Sequence, residues 1–163
     1  MATTSMTVSE AQARANICTF LAEVFRTGPT AEVVRTIRAM AAELGIDCPD
    51  SVSLSELDRE YRDLFVIPNP RYVAPYESVF RDEWPLPEVL RRGSNPSETG
   101  RKIKGLLMGE STLQVRGSYL RAGVFPDRDL PDHISNELLF VAHLSAKEAQ
   151  AVNGEGDALA AAR

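Results

Sequence analysis

Hydrophobic positions near the start of the chain recur at helical spacing, and they predict two helices. The first begins at Ser9, carries apolar residues at intervals of three and four, and stops at Gly28, which a proline follows. Thr30 can cap the second helix, and Gly45 is a natural terminator for it. The connector between the two helices is short, which predicts antiparallel packing.

A third helix is predicted to follow Ser53. Glu56 lies three residues after this serine, so the two side chains can form a capping box. Its apolar positions at helical spacing are expected to belong to the core. They are Leu57, Tyr61, Leu64 and Phe65.

The composition changes after residue 66. Five of the ten prolines lie between residues 68 and 87, and six of the eleven aromatic residues lie between 61 and 84. Pro75 can be the first residue of a short helix that carries Tyr76, Val79 and Phe80. Because a flexible linker would be rich in glycine and serine instead, this segment is interpreted as a rigid aromatic loop within one domain.

The second half of the chain contains two more predicted helices. One spans residues 111–122 and ends at Gly123. Asp132 can cap the other, a long helix whose apolar stripe is nearly all-round, which predicts a central position. Gly154 is expected to end it, and residues 155–163 are expected to open a further helix.

These patterns predict an all-α, single-domain helical bundle over residues 9–163, with residues 1–8 disordered. No segment alternates with period two, so no strand is predicted. No apolar run approaches the roughly 20 residues that span a bilayer, and the first residues lack the features of a secretory signal. Cys18 and Cys48 suggest no disulfide framework, so a reducing, cytoplasmic location is expected.

The formal net charge of −5 argues against a general nucleic-acid binder, because such a protein needs a basic surface. The charge is uneven along the chain: residues 43–63 carry a net −5 and residues 91–104 a net +4. Two solvated faces explain most of these charges. The functional interpretation is an acidic surface that attracts a basic peptide.

The sequence lacks the usual motifs of catalysis. There is no phosphate-binding glycine loop and no nucleophile elbow, and the two histidines are ten residues apart. His133 and Glu137 share a helical face, which is a weak metal signal and more simply a local hydrogen-bonded pair. We therefore expect a protein that is not an enzyme, with no metal and no cofactor.

Two stretches carry a family resemblance. Residues 60–65 and 75–80, which read EYRDLF and PYESVF, are followed by residues 130–140, which read LPDHISNELLF. In this order and spacing they resemble the TorD/DmsD/NarJ family of chaperones for molybdenum oxidoreductases. Residues 109–113 and 119–123 also fit the family order, so the resemblance covers roughly residues 10–150.

The resemblance implies an all-α chaperone that binds the apo catalytic subunit of a molybdenum oxidoreductase in the cytoplasm. It also implies recognition of the subunit's N-terminal twin-arginine signal peptide, with no nucleic acid and no membrane insertion. Aromatic side chains can supply rigid apolar area, and an aspartate can pair with a guanidinium. The candidate signal-peptide and client-binding residues are Tyr76, Glu77, Ser78, Val79, Phe80, Trp84, Tyr119, Asp132, His133 and Glu137.

Family members usually continue with further helices, whereas this chain ends at Arg163. An apparently shortened C-terminus predicts apolar surface on the last helix and favours a homodimer. The main alternative is a small-ligand or guanine-nucleotide-binding helical domain, in which the basic stretch from Arg91 to Lys104 attracts phosphates. A hydrolase with a dispersed site is the least favoured interpretation.

Overall fold

The computed structural model describes residues 8–43, 45–49, 52–85, 102–126 and 130–161. Within these ranges the chain forms two compact units. The first unit comprises the residues up to 73 together with those from 138 onward, and the second unit comprises residues 74–137. The expectation of one domain over residues 9–163 stays a prediction, and the expected disordered segment lies outside the described residues except for Val8.

Three helices open the first unit: α1 (Val8–Thr27), α2 (Ala31–Glu43) and α3 (Leu54–Phe65). Because α1 already begins at Val8, Ser9 lies in its first turn and is not its cap. The cap of α2 is as predicted, since the Thr30 hydroxyl accepts a hydrogen bond from the Val33 amide at 3.2 Å. Gly45 follows α2 with a φ of 68°, a conformation that favours glycine.

The predicted capping box of α3 is confirmed. The Ser53 hydroxyl accepts from the Glu56 amide at 3.2 Å, and the Glu56 carboxylate accepts from the Ser53 amide at 3.0 Å. Two backbone donors at the start of the helix are therefore satisfied by local side chains. This is why sequence spacing alone could locate this helix end.

Aromatic side chains join α1 to α3. The rings of Phe25 and Phe65 are 5.5 Å apart in an edge-to-face arrangement, and the Tyr61 hydroxyl donates to the Phe25 carbonyl at 2.7 Å. Gly28 is needed beside them, because a Cβ there would lie 2.8 Å from the Tyr61 ring. Leu57, Tyr61, Leu64 and Phe65 are half-buried rather than buried, so they pack at the margin of the core.

The long helix α6 (Ile134–Ala161) supplies residues 138–161 to the first unit. Arg14 of α1 pairs with Glu148 of α6 at 2.8 Å. Both helices bury small side chains, which allow helices to approach closely. These are Ala11, Ala15, Ala22, Ala142, Ser145 and Ala149. Val141 and Leu144 are exposed, so the prediction that this helix is buried nearly all round is wrong.

The prediction that Gly154 ends the long helix is also wrong, because α6 continues through it to Ala161. A single glycine costs a helix interior only about 1 kcal/mol, and no proline follows it here to force an end. Residues 155–161 therefore extend α6 instead of opening another helix.

The described part of the second unit, residues 74–85, 102–126 and 130–137, forms two complete helices and a minimal sheet. The helices are α4 (Glu77–Arg81) and α5 (Glu110–Ala122), and Gly123 closes α5 in the left-handed conformation. Strand β1 (Trp84–Pro85) pairs antiparallel with β2 (Lys102–Ile103), with Trp84 opposite Ile103. This pair of strands shows that the prediction of no strand is wrong. Strands of two residues are too short to show the alternation of apolar and polar positions in the sequence.

Both helices of the second unit are capped by aspartates from distant parts of the chain. The residue before α4, Tyr76, makes no side-chain cap, and the Asp132 carboxylate accepts from the Ser78 amide at 3.0 Å instead. Gly109, before α5, has no side chain. Asp82 replaces it, because its carboxylate accepts from the Ser111 amide at 3.0 Å and from the Ser111 hydroxyl at 2.7 Å.

Two local predictions are corrected by this arrangement. Asp132 does not cap the long helix. His133 does so, since its Nδ1 accepts from the Ser135 amide at 3.2 Å. Pro75 does not open the short helix, because α4 begins at Glu77 and the Pro75 carbonyl accepts from the Ile134 amide at 2.9 Å. A capping partner 54 residues away leaves no trace in local spacing.

The Asp82 cap can be tested through Gly109, where a Cβ would lie 1.8 Å from the Asp82 carboxylate. Gly109→Ala should displace Asp82 and lower the free energy of unfolding by about 2 kcal/mol. Chemical denaturation followed by circular dichroism measures this change.

Gly117→Ala is the matched control in the same helix, because the nearest atom to a Cβ there is an Arg121 nitrogen at 3.4 Å. It should leave stability unchanged or raise it by up to about 1 kcal/mol. Equal effects at the two glycines would contradict the capping role of Asp82.

Candidate functional site

The N-terminus of α4 is held by the segment that leads into α6. The Glu77 amide donates to the Asp132 carbonyl at 3.0 Å, and the Ile134 amide donates to the Pro75 carbonyl at 2.9 Å. Tyr76 and His133 thereby form an isolated antiparallel bridge, with ring centroids 5.1 Å apart. The structure thus brings together the two sequence stretches 75–80 and 130–140, within the second unit.

Four of the predicted site residues lie in the interior of the second unit. Ser78 and Asp132 are fully buried, and Tyr119 and His133 are nearly so. The Tyr119 hydroxyl donates to the Pro131 carbonyl at 2.8 Å, which anchors the segment before α6 to α5. These side chains hold α4 in position, and the buried Asp132 carboxylate does not present itself to a guanidinium from outside.

His133 is part of a local polar network. Its Nδ1 lies 2.7 Å from the Ser135 hydroxyl, and the neighbouring Asn136 side chain donates to the Leu130 carbonyl at 2.9 Å. The predicted interaction of His133 with Glu137 corresponds to a backbone helix bond of 3.2 Å, while the ring bonds to Ser135. The histidine therefore shapes the start of α6.

Glu137 is the carboxylate among the predicted site residues whose pKa is clearly shifted. Burial together with the negative charges of Glu77 and Asp132 raises the pKa of Glu137 to about 7, while Arg81 acts in the opposite direction. Burial also raises the pKa of Tyr119. Arg81 forms an ion pair with Glu77. Two carboxylates, Glu77 and Asp132, and one arginine, Arg81, thus act on Glu137. This cluster therefore contains more acidic than basic side chains.

Several buried oxygen atoms in the described part of the second unit have no hydrogen-bond partner. They are Ser78 Oγ, Thr112 Oγ1, Asp132 Oδ1 and Glu137 Oε1. Such atoms are rare in folded proteins because each one costs free energy. Glu137 is half-buried and shares a side-chain hydrogen bond with Glu77, so a cationic donor that reached its buried Oε1 would satisfy an oxygen that has no partner within the described residues.

The outer part of the site is aromatic. Phe80 is 60% exposed and Trp84 is 40% exposed, whereas Val79 is half-buried. Trp84 lines an open groove of about 400 Å³ together with charged side chains. These are Arg81, Asp82, Glu83 and Glu110.

A lysine pair neutralises one border of this groove. Lys102 and Lys104 each lie 2.9 Å from the Glu83 carboxylate, and they lower the pKa of Glu83 to about 2. Asp82 is already bonded to Ser111. Neither Asp82 nor Glu110 forms an ion pair with a residue that the structure describes, and Glu110 accepts a hydrogen bond from Gln114 at 3.1 Å.

Sequence reasoning missed Asp82, and nothing local could have found it, because its partner Ser111 is 29 residues away. Gly109 and Ser111 lie in a stretch that carried only a family resemblance. Among the residues that the structure describes, no group of three or more histidine, cysteine or carboxylate side chains could hold a metal ion. In the same residues, no helix is long and apolar enough to cross a membrane.

The sequence profile of the nitrate reductase delta subunit family matches residues 27–163. The chain belongs to this family. Its members are NarJ/TorD-type chaperones, so the resemblance drawn from the motifs is confirmed. The family serves the maturation of redox enzymes as chaperones and not as catalysts. No curated protein matches the sequence.

A solved structure from Archaeoglobus fulgidus, assigned to redox enzyme maturation, has the same fold as this member of the nitrate reductase delta subunit family. The two superpose with a TM-score of 0.53 over 80% of this chain and 70% of the other, at 22% sequence identity. At that identity the similarity concerns the fold alone. It confirms the predicted mainly helical fold class.

The raised pKa of Glu137 predicts a pH dependence of stability. In the unfolded chain this carboxyl titrates near 4.5 and in the folded chain near 7, so the folded state holds the proton more tightly. The resulting stabilisation is present below pH 4.5 and is lost as the pH rises through 7. Because the group is half-exposed, we expect it to contribute about 1 kcal/mol to the difference between pH 5 and pH 8.

Glu137→Gln should remove this part of the pH dependence, as measured by urea denaturation at both pH values. Glu23→Gln, at an exposed position on α1, is the matched control and should retain the wild-type slope. An unchanged slope in Glu137→Gln would show that this carboxyl does not titrate in the expected range.

Proposed function

We propose that the chain binds the apo catalytic subunit of a molybdenum oxidoreductase in the cytoplasm and holds it until the cofactor is inserted. We further propose that it recognises the subunit's N-terminal twin-arginine signal peptide. Membership of a family of maturation chaperones supports the first statement. The second is supported by the surface of the second unit.

The observation that carries the proposal is the pairing of exposed aromatics with carboxylates that lack cations. A twin-arginine signal joins a basic head to an apolar stretch. Phe80 and Trp84 offer rigid apolar area that loses little entropy on binding. Glu137 and Glu110 offer acceptors to a guanidinium, and no ion pair occupies either of them among the described residues.

The predicted site residues divide into two roles in this proposal. Ser78, Tyr119, Asp132 and His133 are buried and position α4, so their contribution is indirect. Phe80, Trp84 and Glu137 contact the peptide. A peptide arginine that approaches Glu137 also meets Glu77, which Arg81 already binds, so the two cations share one acidic group.

The nucleotide-binding alternative gains no support from the described residues. Lys102 and Lys104 both pair with Glu83, which reduces their attraction for a phosphate. The remainder of the basic stretch, from Arg91 to Arg101, lies outside the described residues. Binding of a signal peptide is therefore favoured over binding of a nucleotide.

Calorimetric titration with a twin-arginine signal peptide from a molybdenum oxidoreductase tests the proposal. We expect saturable binding, and we expect Phe80→Ala and Glu137→Gln each to weaken it about tenfold, or about 1.4 kcal/mol, without lowering the melting temperature. Asp132→Ala should both weaken binding and lower the melting temperature, because α4 loses its cap.

Ile46→Ala is the matched control, since Ile46 is an exposed apolar residue of the first unit. It should bind like the wild type. A peptide with both arginines replaced by lysine should bind more weakly, because lysine cannot form the bidentate bond. Equal affinity of the wild type and both site variants would sink the proposed site, and absence of any binding would sink signal-peptide recognition.

A further inference from the structure

Helix α5 buries two small polar residues and exposes two large apolar ones. Ser111 and Thr112 are buried, and the buried Tyr119 directs its hydroxyl to a carbonyl. Leu113 is 66% exposed and Leu120 is 50% exposed, among the exposed polar residues Gln114, Arg116 and Arg121. In the usual amphipathic helix such leucines face the core. Burial within the chain therefore does not explain the two leucines.

The exposed leucines share a face with a glycine. Leu113, Gly117 and Leu120 are spaced at i, i+4 and i+7, so they form one stripe along the helix. Glycine in a helix interior costs roughly 1 kcal/mol relative to alanine. Nothing in the described residues requires it here, because a Cβ would meet only an Arg121 nitrogen at 3.4 Å. A glycine between two leucines permits close approach of another helix.

The apolar surface continues at both ends of α5. Four further large apolar residues in the adjoining loops are exposed by more than two-fifths of their area. They are Leu106, Leu107, Met108 and Phe125. Large apolar residues exposed close together in the sequence are typical of interaction surfaces.

The borders of the stripe are charged. Arg116 lies at one border and makes no ion pair with any residue that the structure describes. Arg121 lies at the other border, where its side chain donates to the Ser118 hydroxyl at 3.0 Å. Glu110 lies about three turns away at the start of the helix and accepts from Gln114 at 3.1 Å. The borders therefore carry a net positive charge, which disfavours the basic head of a twin-arginine peptide and favours carboxylates.

We infer that the Leu113–Gly117–Leu120 face of α5 docks a helix of a partner protein whose apolar stripe is bordered by acidic residues. This face does not include Phe80, Trp84 or Glu137, and docking on it does not require recognition of a signal peptide. Helix-in-groove recognition of this type uses apolar anchors at i, i+4 and i+7 for affinity and border charges for orientation.

Fluorescence anisotropy with the full chain tests the inference. The probe is a labelled helical peptide with leucines at i, i+4 and i+7 and glutamates along both borders, compared with the same peptide carrying lysines there. We expect the glutamate peptide to bind at least tenfold more tightly than the lysine peptide. Arg116→Glu should reduce this preference about tenfold.

Gly117→Leu separates docking from folding. The substitution raises helix propensity, so the melting temperature should not fall, but the added side chain blocks close approach and should weaken the glutamate peptide at least tenfold. Gln114→Leu, also exposed and on the same helix but off the stripe, is the control. Twin-arginine peptide binding should be unchanged in Gly117→Leu.

Three results would overturn the inference. They are equal binding of the two peptides, undiminished binding by Gly117→Leu, and self-association of the wild type in sedimentation velocity that Gly117→Leu abolishes. The last would assign the face to a second copy of this chain. Loss of twin-arginine binding with intact docking would instead count against the proposed function alone.

Discussion

The second unit depends on a carboxylate that caps a helix from far along the chain. A five-residue helix such as α4 has no stability of its own, and its N-terminal amides need acceptors. Asp132 supplies the side-chain acceptor, and its carbonyl supplies a second one for Glu77. Asp82, just after α4, does the same for α5. Removing either aspartate would leave a helix end buried and unsatisfied.

The residues that hold α4 in position differ from the residues that we propose to contact a ligand. The groups that hold α4 are buried, whereas Phe80 and Trp84 are exposed and Glu137 is half-buried. A rigid frame lowers the entropy that a ligand must overcome, since the aromatic positions are set before binding. The uneven count of carboxylates and arginines around Glu137 is a stability cost that a cationic partner would relieve.

Local sequence signals predicted what is local in the structure. The capping box at Ser53, the Thr30 cap and the glycine after α5 depend on residues within a few positions of each other, and all three are present. Asp132 was expected to cap the helix that follows it, because spacing cannot show that its partner is Ser78. The site residues were grouped by motif, but their burial, which decides whether each one binds or supports, comes from tertiary contacts.

The bridge between Tyr76 and His133 also determines when the site can form during synthesis. Residues 75–80 leave the ribosome well before residues 130–134, and until then α4 lacks both its backbone partners and its side-chain cap. Contacts of this sequence separation form late because the intervening loop must first be closed. A nascent chain therefore lacks an anchored α4 until residues 130–134 have been synthesised, so the surface that carries Phe80 cannot be fixed in place before then.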